Sequence, residues 1–258
     1  MKWMVRMGVL LSSVVLGCLS IPVVKVGSGD TVSTTIRYVA LGDSIACGYG
    51  LSNPGNDSYV GQVEQYLEGQ YDYVVVSNFG TNGLRSGQLL DILTNPDNPE
   101  YKRYHATLQY ADVITLSIGS NDLLHLLRLD ADIQKYIEDG GEMFQRACQE
   151  FQQNFPAIIA MLAEMAPEAE IYVDNVYNPC RGLKRYKGLY EQAEHYITLL
   201  NQTFVKESGY RLVDIKTAFD ASQEKLINMD FQGREFDPHP NQAGHALIGS
   251  RVIEEMKK

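Results

Sequence analysis

The chain has 258 residues, of which 45% are hydrophobic and 21% charged. That balance is globular, and it excludes a disordered, collagenous or coiled-coil protein. A formal net charge of −10 repels a phosphate backbone and argues against nucleic acid as a partner.

The first 24 residues carry Lys2 and Arg6 and then run without charge, the layout of a secretory leader with a positive start and an apolar middle. The domain behind it therefore reads as exported, to the medium or to a bacterial cell envelope. Val15-Leu16-Gly17-Cys18 resembles a lipobox, which makes Cys18 a candidate for lipidation and the N-terminus a candidate membrane tether. Plain cleavage of the leader stays open beside it. Residues 25–34, with Gly27-Ser28-Gly29-Asp30, read as a linker, which leaves 35–258 as one domain.

Within that domain short apolar runs alternate with longer helical patterns. Strands are expected at 36–41, 73–77, 113–118, 171–176 and 210–215, where β-branched and aromatic residues concentrate. Helices are expected at 60–67, 144–165, 189–205 and 241–256. Alternation of this kind needs crossover connections, so the fold class is α/β, with a parallel sheet between two helical layers. A flavodoxin-like three-layer α/β/α sandwich of five strands in the order 2-1-3-4-5 is the specific expectation.

A doubly wound sheet binds ligands beyond the carboxyl ends of its strands, and four segments there carry chemistry. They are Gly42-Asp43-Ser44 after the first strand, Asn78 to Gly83 after the second, Gly119-Ser120-Asn121-Asp122 after the third, and Asp237-Pro238-His239-Pro240 near the C-terminus. A serine hydroxyl needs a neutral imidazole to take its proton as it attacks a carbonyl, and the oxyanion that forms needs fixed hydrogen-bond donors. Ser44 is the candidate nucleophile and His239 the candidate base. The backbone N–H groups of Ser44 and Gly83 and the amide of Asn121 are the candidate oxyanion donors.

These four ordered blocks resemble the SGNH hydrolases, also called the GDSL lipase/esterase family, over the chain from about Ile36 to its end. The resemblance implies a serine esterase or lipase, with Asp237 as third member of a Ser-His-Asp triad. It implies carboxylic ester substrates such as short-chain acyl esters, lysophospholipids, thioesters or O-acetylated sugars. Gly83 is preferred to Gly80 because it lies five residues beyond Asn78. The family places two residues between acid and histidine, whereas here Pro238 alone separates them and Phe236 holds the usual position. Asp237 reaching from a turn and a backbone carbonyl such as that of Glu235 are both open as the group that orients His239. The competing reading is a catalytically silent, surface-tethered module that binds carbohydrate in the same crevice.

The remaining residues have plainer readings. Ser44 and Asn121 also suit helix N-caps, and Asp43 suits a support of the turn. Cys47, Cys148 and Cys180 show no paired metal-ligand spacing; the last two are either a single bridge or two buried thiols. No metal or cofactor is expected, the one metal alternative being a His239/His245 pair. Asn56 and Asn201 head glycosylation sequons, and Arg181, Lys184, Arg185 and Lys187 form a basic patch after the fourth strand.

Overall fold

The computed structural model describes residues 33–126, 141–180, 187–204, 209–228 and 237–258. The leader with Cys18, most of the linker, the basic residues Arg181, Lys184 and Arg185, and Glu235 with Phe236 lie outside them. A five-stranded sheet runs in the order β2-β1-β3-β4-β5, with β1 at Thr35–Gly42, β2 at Tyr73–Gly80, β3 at Val113–Ser117, β4 at Glu170–Asp174 and β5 at Arg211–Val213. Every pairing is parallel. This is the expected class and strand order.

Alternation along each strand divides the core in two. Val39, Leu41, Ile114, Leu116, Ile171 and Val173 share one cluster with Leu89 of α4 (Ser86–Thr94), Tyr104 of α5 (Tyr101–Leu108), Phe151 and Phe155 of α7 (Gly141–Met165) and Phe204 of α8 (Lys187–Phe204). Ile36, Tyr38, Ala40, Val113, Tyr172 and Val213 share the other with Val60 and Val63 of α3 (Tyr59–Glu68), Phe219 of α9 (Ile215–Ala221) and Ile248 and Val252 of α10 (Gln242–Met256). Pro156 sits inside α7, where it removes one helical hydrogen bond. The buried run Phe151, Phe155, Ile158, Ile159 and Leu162 along that helix outweighs the defect.

Two strand ends fall short of expectation by two residues, each for a local reason. β4 stops at Asp174 because the Asn201 side chain accepts from the Val176 N–H at 2.9 Å and donates to its carbonyl at 2.8 Å, taking both backbone groups out of the ladder. β5 stops at Val213 because Asp214 caps α9, accepting from the Thr217 N–H at 3.1 Å, so Ile215 is helical rather than extended.

The register brings the carboxyl ends into line. Gly42 of β1 faces Gly80 of β2 and Ser117 of β3, and Ser117 faces Asp174 of β4.

Candidate active site

The first turn is built to present Ser44. Gly42 has φ of 129°, and a Cβ there would lie 1.9 Å from the Ser117 carbonyl oxygen, so the position admits only glycine. The Asp43 N–H donates to that carbonyl at 3.0 Å. Asp43, not Ser44, is the N-cap of the short helix α1 (Ser44–Cys47), its carboxylate accepting from the Ile45 N–H at 2.9 Å. The Ser44 hydroxyl is thereby left out of the cap and turned to another partner.

That partner is His239. Its Nε2 lies 2.9 Å from Ser44 Oγ, and its Nδ1 lies 2.6 Å from Asp237 Oδ1. Asp237 Oδ1 also accepts from the His239 backbone N–H at 3.0 Å. With one residue between acid and base, the carboxylate folds back over its own turn and meets imidazole and backbone together. The turn is fastened from two sides: Ile227 bridges Pro240, the Asn228 N–H donates to the His239 carbonyl, and Tyr177 Oη donates to the Pro238 carbonyl at 2.7 Å. Tyr49, half exposed after α1, lays its ring 4.5 Å from the His239 ring.

The candidate oxyanion donors differ in readiness. The Gly80 N–H is bound to Asn78 Oδ1 at 2.8 Å, while Gly83 sits at φ 76° in an exposed turn with its N–H unpartnered among the described residues. The Ser44 N–H, at the start of α1, likewise has no partner among them. Asn121, in α6 (Ser120–Leu124), does not cap its helix: both hydrogens of Nδ2 are engaged, to Asp43 Oδ2 and to the Leu84 carbonyl, each at 3.2 Å. These bonds are at the long end of the range, and a third acceptor would replace one of them.

Beneath the turn lies a second set of polar groups, all buried. Burial lifts the Asp43 carboxyl to about 7, the Ile45 N–H opposing and the Asp122 charge adding to the shift. Burial, and then the Asp43 charge, push Asp174 well above the usual carboxylate range, and its Oδ2 has no partner among the described residues. Asp122 is raised by burial, against two hydrogen bonds from Ser86.

His245 belongs to this set and not to a metal pair. It is fully buried on α10, its Nδ1 accepts from the Tyr59 N–H at 3.3 Å, and burial, followed by His239, depresses it to about 4. Among the described residues no cluster of three or more His, Cys, Asp or Glu could hold a metal. Cys148 and Cys180 are buried free thiols, raised by burial to about 11 and about 12. Cys47 is partly exposed and also free.

Sequence reasoning named Ser44, Gly83, Asn121, Asp237 and His239 but not Tyr49, Tyr177 or Asp174, which nothing in their immediate neighbourhood singles out. A family model described as "GDSL-like Lipase/Acylhydrolase family" matches residues 40–247. A protein of Bacillus subtilis (strain 168), YpmR, is 28% identical over 229 residues, covering 86% of this chain and 82% of its own. The spore germination lipase LipC of Bacillus licheniformis is 25% identical over 229 residues, covering 84% of this chain and 95% of its own. Among solved structures, the lipase Lip_vut3 from a goat rumen metagenome superposes with a TM-score of 0.67 at 22% identity, covering 85% of this chain and 97% of that one.

Proposed function

The chain belongs to the GDSL-like lipase/acylhydrolase family and is a carboxylic ester hydrolase, and from that premise we propose that Ser44, His239 and Asp237 carry the reaction through an acyl-enzyme. The observation that carries this reading is the unbroken line from Ser44 Oγ through both ring nitrogens of His239 to Asp237, at 2.9 and 2.6 Å. For Nε2 to accept the serine proton, the ring's own proton must sit on Nδ1, which is where Asp237 holds it. Ser44 Oγ attacks the ester carbonyl as Nε2 takes its proton, and His239 then returns that proton to the departing alcohol. Water, activated by the same imidazole, releases the acid. The oxyanion's donors in this reading are the N–H groups of Ser44 and Gly83, unpartnered among the described residues, and Asn121 joins them by giving up one of its two long bonds. Losing one such donor typically costs about 2.7–4 kcal/mol.

The substrates in view are short-chain acyl esters, lysophospholipids and O-acetylated sugars. Ser44→Ala should abolish hydrolysis of p-nitrophenyl acetate with an unchanged circular dichroism spectrum; turnover near the wild-type rate would overturn the assignment. We also place the domain outside the cytoplasm, on the strength of its leader. An intact mass measured on protein recovered from its own host should start at or beyond Gly17, and a full-length mass would contradict export by cleavage.

A further inference from the structure

Next to Ser44 and His239 opens a cleft walled by hydrocarbon. Leu123 and Leu124 of α6, Phe144 of α7, Val176 after β4, and Tyr196 and Ile197 of α8 line it. Phe144 and Tyr196 stack with ring centroids 5.0 Å apart. Apart from the candidate catalytic groups and Asp43, the described lining offers only Ser120, Asn121 and Gln192 as hydrogen-bonding side chains outside Tyr177 and Tyr196, and no lysine, arginine or glutamate. A separate groove, bounded by Leu84 and α4, is lined instead by Arg85, Gln88, Asp91, Glu150 and Asn154. Among the described residues, charged side chains other than Asp43 and the candidate catalytic groups thus line the separate groove, and the surface beside Ser44 is mostly apolar.

This lining selects among ester substrates. A sugar ring in the cleft would set most of its hydroxyls against the hydrocarbon of Leu123, Leu124, Phe144, Val176 and Ile197, exchanging their water for the few partners that Ser120, Asn121, Gln192 and the two tyrosines offer. An acetyl group would cover only the mouth and leave the hydrocarbon walls unused. An aliphatic chain matches them along their length. The leaving oxygen must lie on the His239 side, since that imidazole reprotonates it. Leu123 and Leu124 stand on α6 with Asn121, and Phe144 of α7 and Ile197 of α8 line the same cleft, so the wall that continues from the Asn121 donor is hydrocarbon and suits the acyl half of the ester; Ile45, Val176, Tyr177, Pro179, Cys180 and Pro238 complete the lining.

Resting on the serine-esterase reading, we propose that the substrate is an ester of an unbranched aliphatic acid well beyond acetate in length, and that Ala193 of α8 sets how much of the chain is accepted. Ala193 lines the same cleft and lies one helical turn before Tyr196 and Ile197, on their face of α8. As the smallest side chain of that wall, it leaves the room that a larger residue would fill.

The test uses the full-length protein and monomeric p-nitrophenyl esters below their micellar concentrations. Each methylene moved from water into the cleft is worth about fourfold in kcat/KM, so octanoate should exceed acetate by far more than tenfold. Alkyl acetates of increasing alcohol length should show no comparable rise. Ala193→Phe should cut the octanoate-to-acetate ratio by at least about tenfold, with retained fluorophosphonate labelling of the variant as proof that it is folded. A ratio that is flat or falls with acyl length, a rise with alcohol length instead, or an Ala193→Phe variant with the wild-type ratio would each overturn the proposal while leaving the serine mechanism standing. Absence of both ester turnover and labelling in the wild type would remove the serine mechanism and this inference with it.

Discussion

Two rows of polar residues meet at the carboxyl end of the sheet, and they are built in opposite ways. The upper row, Ser44, His239 and Asp237, has each functional atom paired, and His239 and Asp237 keep 22% and 34% of their side chains exposed. The lower row, Asp43, Asp174 and His245, is buried, and Asp174 Oδ2 and His245 Nε2 have no partner among the described residues. In the first row both His239 and Asp237 combine a hydrogen-bond partner with access to solvent. In the second row burial penalises charge and shifts all three groups toward their neutral forms, and Asp43 caps the turn that aims Ser44. The carboxylate that meets the imidazole and the one that caps the turn are thus different, although Asp43 adjoins the candidate nucleophile in sequence.

The largest effect that separates the rows concerns Asp237. Asp237→Asn should lower kcat by up to ~10⁴ by stabilising the wrong imidazole tautomer, with little change in melting temperature. A loss below about tenfold in steady-state kinetics would mean that a backbone group orients His239 instead.

Asp43 should behave in the reverse manner, through stability. Its carboxyl is raised in the fold from 3.8 to about 7, so the folded state holds the proton that the unfolded chain releases, and wild-type stability falls as pH rises through that interval. Asp43→Asn keeps a capping oxygen and removes the buried charge. Relative to wild type it should gain up to about 4 kcal/mol between pH 4 and pH 8 in urea unfolding. A difference between the two proteins that does not vary with pH would show that the carboxylate is not desolvated.

A smaller effect of opposite sign belongs to His245, lowered in the fold from 6.5 to about 4. The unfolded chain binds a proton there first, so this contribution is complete above pH 6.5 and is lost as pH falls toward 4. His245→Asn, which retains an acceptor for the Tyr59 N–H, should lack that loss and so gain up to about 3 kcal/mol on wild type over the interval. Parallel pH profiles for the two proteins would contradict it.

The upper row was legible in the sequence because each block is local: Ser44 follows a strand and a glycine, and Asp237 and His239 share one turn. The sheet order followed from alternating strands and helices. The lower row was not legible, since Val173-Asp174-Asn175 looks like any strand end, and only the register against Ser117 buries its carboxylate. The same holds for the cleft, whose walls are gathered from three helices at ordinary core spacing. Of those helices, α6 has only five residues, too few to show an apolar period. Asn121, readable as a cap or a donor, became specific only when its amide was found between Asp43 and Leu84.

The claim on which the rest depends is that Ser44 is the activated nucleophile. A fluorophosphonate that modifies the full-length protein, followed by peptide mass spectrometry, tests it directly. The adduct should map to Ser44 alone, vanish in Ser44→Ala, and form far more slowly in His239→Ala. An adduct on another residue, or no adduct in a preparation that hydrolyses esters, would contradict the account.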